Sequence, residues 1–250
     1  MAEHDESADG IKVRSIAGVV ALTSRTFILQ HVAFIATLFL TIFLTPAVFG
    51  LFYVVSAIVA FLGYFSDVGL AAALIQKKEH LTREDLVTTF TIQQLLVGIA
   101  VILVLFGSST IGSWYRLDES GVWLLRVLAV AFFFSSLKTI PSILLERELA
   151  FSKLIIPQIL ETLGFYVTAV ILAWLGFGVT SFTWAVAVRA VVGLLGMYMI
   201  APWKPGIGIS VSVAKRLMRF GIPFQMNSFL ALLKDDLLTV FLGRVLPMSN

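Results

Sequence analysis

The chain has 250 residues, 59% hydrophobic and 13% charged, with a mean hydropathy of +0.98 and a net charge of +3. A soluble domain carries roughly a quarter charged residues, so this composition cannot coat a water-facing surface and places the chain in a membrane. The absence of cysteine excludes disulfides, thiolate metal sites and cysteine nucleophiles, and His4, His31 and His80 are too scattered to form a metal cluster. The pI of about 9.3 does not point to nucleic acid, because the basic residues are spread over short loops.

Residues 1–14 form a polar, acid-rich tail (Glu3, Asp5, Glu6, Asp9) with no cleavage pattern, so the first apolar segment is expected to remain in the mature protein. A spanning helix needs about 20 mostly apolar residues. Seven such segments follow in order: Ile16–Thr45, Val48–Ile75, Leu86–Phe106, Gly121–Leu145, Leu154–Leu175, Phe182–Ile200 and Val213–Leu246. Pro46 and Gly50 turn the first into the second, "GFGVTS" turns the fifth into the sixth, and "PWKPGIGIS" separates the sixth from the seventh. The fold class is all-α: a polytopic transmembrane bundle with a six-helix lobe (15–203), then a linker and seventh helix (204–250). The chain ends just after that helix with no polar tail, as expected of the first part of a larger protein.

Lysine and arginine in short loops set orientation. One side holds Lys12, Arg14, Lys77, Lys78, Arg83, Arg147, Lys153, Lys204, Lys215, Arg216 and Arg219; the other holds Arg116 and Arg244. The first side, with the N-terminus, is expected to be cytoplasmic. No opposite loop is long enough to fold as a domain.

The stretch "LTPAVFGLFYVVSAIVAFLGYFSDVGLAAALIQKKEHLTREDL" resembles the polysaccharide or O-antigen flippase family within the multidrug/oligosaccharidyl-lipid/polysaccharide exporter superfamily. The carrying residues are Pro46, Phe49-Gly50, Asp67-Val68-Gly69-Leu70 and Leu74-Ile75-Gln76. "RFGIPFQMNSFLALLKDDLLTVFLGRVLP" is similar to that family's seventh helix, through Phe220-Gly221-Ile222-Pro223 and the acid before "FLGR". The resemblance implies two six-helix lobes that move an undecaprenyl-pyrophosphate-linked oligosaccharide across the bacterial inner membrane by alternating access. It implies no cofactor, and it makes this chain the first lobe plus helix seven, with a second lobe as partner. Lipid-linked oligosaccharide and membrane lipid are the other implied partners; nucleic acid is not one.

Charges inside the spans are the candidate site, since they are costly unless they face a cavity or a partner. Arg189 lies near the middle of the sixth span, where it serves either as an anion contact for pyrophosphate or as the partner of Glu161 on the fifth. Arg126 and Lys138 are separated by eleven residues of the fourth span. They either snorkel to opposite interfaces or, for Lys138, meet a phosphate coming from the inner leaflet. Lys234, Asp235 and Asp236 fan around the seventh span, neutralising one another or relaying protons or sodium ions. Asp235 and Asp236 are expected to pair with Arg126 at the outer side. Arg25 lies off the polar stripe Thr23, Thr26, Gln30, Thr37 and Thr41, which favours the interface, whereas the resemblance favours the cavity. Asp67, near the cytoplasmic end of the second span, is expected either to hold an inner gate closed or to be an ordinary interfacial acid. No metal site or catalytic pair is visible, so the chain reads as a transporter and not an enzyme. The alternatives are a cation-coupled small-molecule antiporter of the same superfamily, which should favour acids in its cavity, and a membrane polysaccharide polymerase or ligase, which should carry a sizeable outer loop.

Overall fold

A computed structural model describes residues 23, 24 and 26–245, with the side chains of 64–67 and 231–245 outside the description. Among the described residues all regular structure is helical: α1 (Thr26–Phe43), α2 (Pro46–Asp67), α3 (Leu70–Gln76), α4 (Arg83–Trp114), α5 (Glu119–Ser136), α6 (Thr139–Arg147), α7 (Phe151–Trp174), α8 (Thr180–Ile200) and α9 (Val211–Val245). Six of them, α1, α2, α4, α5, α7 and α8, are long and apolar enough to cross a membrane. Large apolar side chains such as Phe106, Leu103 and Ile102 stand exposed on the outside of the bundle, as lipid allows and water would not.

The hairpins alternate direction, so one end of the bundle gathers Lys77, Arg147 and Arg216, here called the basic end, and the other gathers Asp118 and Arg126. Helix α5 is central, packed against α2, α4 and α8, while α7 lies along α8. The core toward the Asp118 end joins Leu40 of α1 and Leu44 just after it to Val55, Val97, Leu124, Leu125 and Ala169, and stacks Phe52 on Phe182 with ring centroids 4.3 Å apart. The α7–α8 pair is close because Gly193 and Gly196 of α8 face α7 and Gly164 of α7 faces Val188 and Val192; small residues let helices approach in lipid.

Three segments differ from the sequence expectation, each for a local reason. The second span is not continuous. Val68 and Gly69 both take left-handed backbone (φ 49° and 72°), which ends α2 and starts the short α3. The fourth is also broken, at Leu137–Lys138. Pro141 has no N–H to give to the carbonyl of Leu137, and its ring crowds that carbonyl. The orphaned oxygen is taken instead by the Tyr198 hydroxyl of α8, 3.1 Å away. The third span continues eight residues past Phe106 to Trp114. The added turns are polar, and their Ser108 and Ser113 hydroxyls are satisfied within the helix by donating to the carbonyls of Leu105 and Thr110. At 32 residues α4 is about 48 Å long and outreaches the roughly 30 Å hydrocarbon layer.

At the basic end α3 is held from two sides. Arg147, in the last turn of α6, donates to the carbonyls of Leu74, Ile75 and Lys77 through Nη1 (2.7, 3.1 and 2.6 Å) and to Glu79 through Nη2 (3.1 Å). Leu74 and Ile75 are among the carbonyls that the α3 C-terminus leaves unpaired, Lys77 and Glu79 belong to the chain just after it, and a cation there also favours the helix dipole. On the other side the α2–α3 break touches α9 backbone to backbone, Gly69 against Gly221. A methyl on Gly221 would sit 2.7 Å from the Val68 carbonyl oxygen. Gly221→Ala is therefore expected to destabilise the protein by about 1–3 kcal/mol through overpacking. Gly98→Ala, where nothing lies within 4 Å, is the matched control. Thermal unfolding of the two variants in detergent, with only the first shifted downward, checks this.

Candidate functional site

The charged centre of the lobe is Glu161. It lies ten residues into α7, about 15 Å from the start of that helix, with both helix ends far away. Arg189 is at the middle of α8, nine residues after Thr180. Lys138 stands at the α5–α6 break. The three meet: Lys138 Nζ bonds Glu161 Oε1, and Arg189 Nε lies 3.9 Å from Glu161 Oε2. The Lys138 and Glu161 side chains are 12% and 13% exposed, while that of Arg189 is 56% exposed. Lys138 is thus turned inward on a carboxylate and does not reach for an interface. One carboxylate is shared by two cations, and among the described residues the exposed cation keeps most of its donors unused.

Local structure makes this possible. Lys138 sits in the two-residue turn between α5 and α6, immediately before the first residue of α6. Gly193 supplies the room, since a methyl there would collide with the Glu161 carboxylate. The break is stapled to its surroundings by polar side chains. Gln93 Nε2 donates to Thr139 Oγ1 (3.0 Å), Ser136 Oγ donates to Gln94 Oε1 (3.0 Å), and Tyr198 holds the Leu137 carbonyl. Gln93, Gln94, Ser136, Thr139 and Tyr198 did not stand out in the sequence. The one available signal was proline three residues after an intramembrane lysine.

Arg189 opens on a cavity of about 180 Å³ between α2, α5, α7 and α8, lined by Phe52, Ser56, Leu128, Phe132, Ser135 and Phe165 among others. Ser56 Oγ is buried there with no hydrogen-bond partner among the described residues. A buried hydroxyl left unpaired costs about 1–3 kcal/mol, and a polar guest would recover it. Excess positive charge, an unpaired hydroxyl and aromatic walls suit an anionic, partly apolar guest.

Arg126 is separate from this centre. Its Nε donates to Ser108 Oγ at 2.8 Å, and it lines a larger opening of about 910 Å³ at the other end with Asp118, Glu119, Ser120 and Trp123. Asp118 caps α5. The Ser120 hydroxyl and then the Gly121 N–H, both donating to its carboxylate, hold its pKa below the usual range. Arg25 and the side chains of Asp67, Lys234, Asp235 and Asp236 lie outside the described residues, and with them the expected Arg126–Asp235/Asp236 pair.

The sequence reading passed over a second buried acid. Asp85 is fully buried, in the first turn of α4. Its Oδ2 accepts from Lys77 Nζ (2.6 Å), the Thr82 backbone N–H (2.9 Å) and the Thr82 hydroxyl (2.9 Å), and its Oδ1 accepts from Arg216 Nη2 of α9 (2.7 Å). Thr82 and Asp85 form a capping box, legible as T-x-x-D before an apolar run. The two ionic partners come from distant segments and were not legible.

The chain matches the polysaccharide biosynthesis protein family over residues 39–250. It belongs to that family. Among curated members, the lipopolysaccharide biosynthesis protein WzxC of Escherichia coli (strain K12) is 26% identical over 79% of this chain and 40% of its own length. The succinoglycan biosynthesis transport protein ExoT of Rhizobium meliloti (strain 1021) is 26% identical over 95% of this chain and 47% of its own length. The chain spans about half the length of these relatives or less. No solved structure matches it. The family assignment agrees with the resemblance in the first helical hairpin, and the helices form the multi-pass membrane bundle it implies.

Glu161 and Lys138 should behave as a unit. Glu161→Gln leaves a mostly buried ammonium without its counter-charge, expected to cost about 3–5 kcal/mol if fully desolvated. Lys138→Met should cost less, because Arg189 still lies 3.9 Å from Glu161 Oε2, and the double variant less than the sum. A double-mutant cycle read by thermal unfolding measures this; additive costs would mean that the two do not interact.

Proposed function

We propose that the chain is the first lobe of a transporter that carries a pyrophosphate-linked lipid oligosaccharide across the membrane, with Arg189 as an anion contact. The observation that carries this reading is the shared carboxylate. Glu161 neutralises Lys138, and Arg189 is left with surplus positive charge at mid-membrane, facing a cavity. Membership of the family and the transport role named for the succinoglycan relative support the same reading. A cation-coupled antiporter would place net negative charge there. On this reading the basic end is cytoplasmic, by the excess of lysine and arginine in its loops, and the enclosing membrane is the bacterial inner membrane. The second lobe completes the cavity. Ion coupling, if present, falls to Lys234, Asp235 and Asp236 in α9; Asp67 and Arg25 are the further gating and substrate candidates.

Lys138 makes the test sharper. Because Glu161 keeps a counter-charge when Arg189 is removed, Arg189→Gln in the intact protein should leave membrane abundance near normal while abolishing polymer export. Arg189→Lys keeps the charge but loses the forked donors, and should retain part of the export. Normal export from Arg189→Gln would remove the residue from the mechanism. Low abundance restored by adding Glu161→Gln would make Arg189 a structural strut. Orientation is checked separately with Glu79→Cys, a single cysteine in these 250 residues. It should react with an impermeant thiol reagent only after the cells are opened.

A further inference from the structure

The opening of about 910 Å³ at the Asp118 end lies between the last turns of α4 and the first turns of α5, lined by Ser109, Ser113, Asp118, Glu119, Trp123 and Arg126 among others. We propose that it binds a phospholipid with a zwitterionic, primary-ammonium headgroup, of the phosphatidylethanolamine type: Arg126 takes the phosphate, Asp118 and Glu119 take the ammonium, and the acyl chains run along the apolar faces of α4 and α5.

Position favours a lipid. Arg126 and Leu128 are two residues apart on α5, about 200° around the helix, and Leu128 lines the cavity beside Arg189. The opening therefore faces away from that cavity. Glu119 and Trp123 are exposed on it. Centred on a hydrocarbon layer of roughly 30 Å, the 32-residue α4 projects about 9 Å at each end, which puts residues 109–114 at headgroup level. Tryptophan at that level is the ordinary interfacial anchor.

The charges match in kind and in order. Arg126 Nε is used by Ser108, and among the described residues neither Nη has a partner, so the terminal fork is available to phosphate in the bidentate manner. Glu119 makes no ion pair among the described residues. The Asp118 carboxylate accepts from the Ser120 hydroxyl and the Gly121 N–H and has lone pairs left. Two carboxylates beside one guanidinium repel a purely anionic headgroup and suit one that carries both signs. In a phosphatidylethanolamine the phosphate lies nearer the chains and the ammonium at the outer tip. Arg126 is seven residues, about 10 Å, further along α5 than Glu119, so the cation is on the phosphate side and the acids are on the ammonium side.

Toward mid-membrane the same two faces turn apolar. Ile102, Phe106, Ser109 and Ser113 follow one another on α4 at spacings of four, three and four, and Glu119, Trp123, Arg126 and Val130 on α5 at the same spacings. Ile102, Phe106 and Val130 are exposed. A polar opening continued by an apolar track has the pattern of head and chains, and a free ion or sugar would leave the track unused. The inference goes beyond the transport reading and stands without it.

The test is lipid binding by the intact protein in detergent, titrated with phosphatidylethanolamine, phosphatidylcholine or phosphatidylglycerol and read by native mass spectrometry. Phosphatidylethanolamine is expected to bind about tenfold more tightly than either of the others, the scale of charge-assisted hydrogen bonds to its ammonium. Asp118→Asn with Glu119→Gln keeps a capping side chain before α5 and removes both charges, and should erase that preference. Glu119→Gln alone, at an exposed position, should reduce it. Arg126→Gln should weaken phosphatidylethanolamine and phosphatidylglycerol alike. Equal binding of the three lipids, a preference for phosphatidylglycerol, or an ethanolamine preference undiminished in the double variant overturns the proposal. So does displacement of the bound lipid by inorganic phosphate or by maltose, which would assign the opening to a free anion or to a saccharide.

Discussion

A carboxylate within a hydrocarbon layer needs a counter-charge, and the middle of this lobe is organised around meeting that need for Glu161. Desolvating a charge costs far more than any single packing contact returns, so the surrounding helices are arranged to deliver cations to one point. Helix α8 delivers Arg189 from its midpoint and clears space with Gly193. The fourth span delivers Lys138 from the turn at its break. The proline that breaks it creates a second debt, the Leu137 carbonyl, which Tyr198 of α8 settles. The same two helices therefore satisfy both the charge and the backbone. Gln93 and Gln94 of α4 then fix the broken segment laterally.

How much of this was legible in the sequence follows from which interactions are local. Seven apolar segments, their order and the gathering of basic loops at one end are written in composition and length; six of the segments recur as helices long and apolar enough to cross a membrane, and α9 lies where the seventh was expected. The two breaks were hidden for different reasons. At Val68–Gly69 the signal was a single glycine in an otherwise helical run, easily read as a close-packing residue. At Leu137 the proline was visible, but whether a proline bends or breaks a span depends on who receives the freed carbonyl, and that partner is 61 residues away. The Arg189–Glu161 approach was foreseen because depth can be counted along two helices. The stronger tie of Glu161 to Lys138 was not, because it joins two segments whose packing against each other is set by the tertiary fold alone. Asp85 looked like one more loop acid; its capping role is local and readable, its two ion pairs are not. Arg147 was counted only for its sign, while its bonds to four carbonyls of another segment depend wholly on the tertiary fold.

The two ends of the lobe have different physical characters. Toward Asp118 the core is aromatic and aliphatic, and charges sit at helix starts or on hydroxyls, as Arg126 does on Ser108. At the basic end the packing core is smaller, and ion pairs and backbone-directed arginine bonds carry the joints between segments. Apolar contacts are indifferent to ions in the surrounding water, whereas paired charges near a surface are not. On the transport reading proposed above the contrast matters, since a carrier that opens alternately needs at least one face whose closure can be reversed.

The backbone contact between Gly69 and Gly221 bears on how such a face moves. Where two helices interlock through branched or aromatic side chains, sliding or parting them requires rotamers to change in concert, and each change has its own barrier. Two glycines present smooth surfaces. Neither has a torsion to unlock or a knob to lift from a hole, so the surfaces can part and rejoin with little internal friction. The strength of the joint then resides in the nearby charges, and its speed in the absence of side chains at the point of contact.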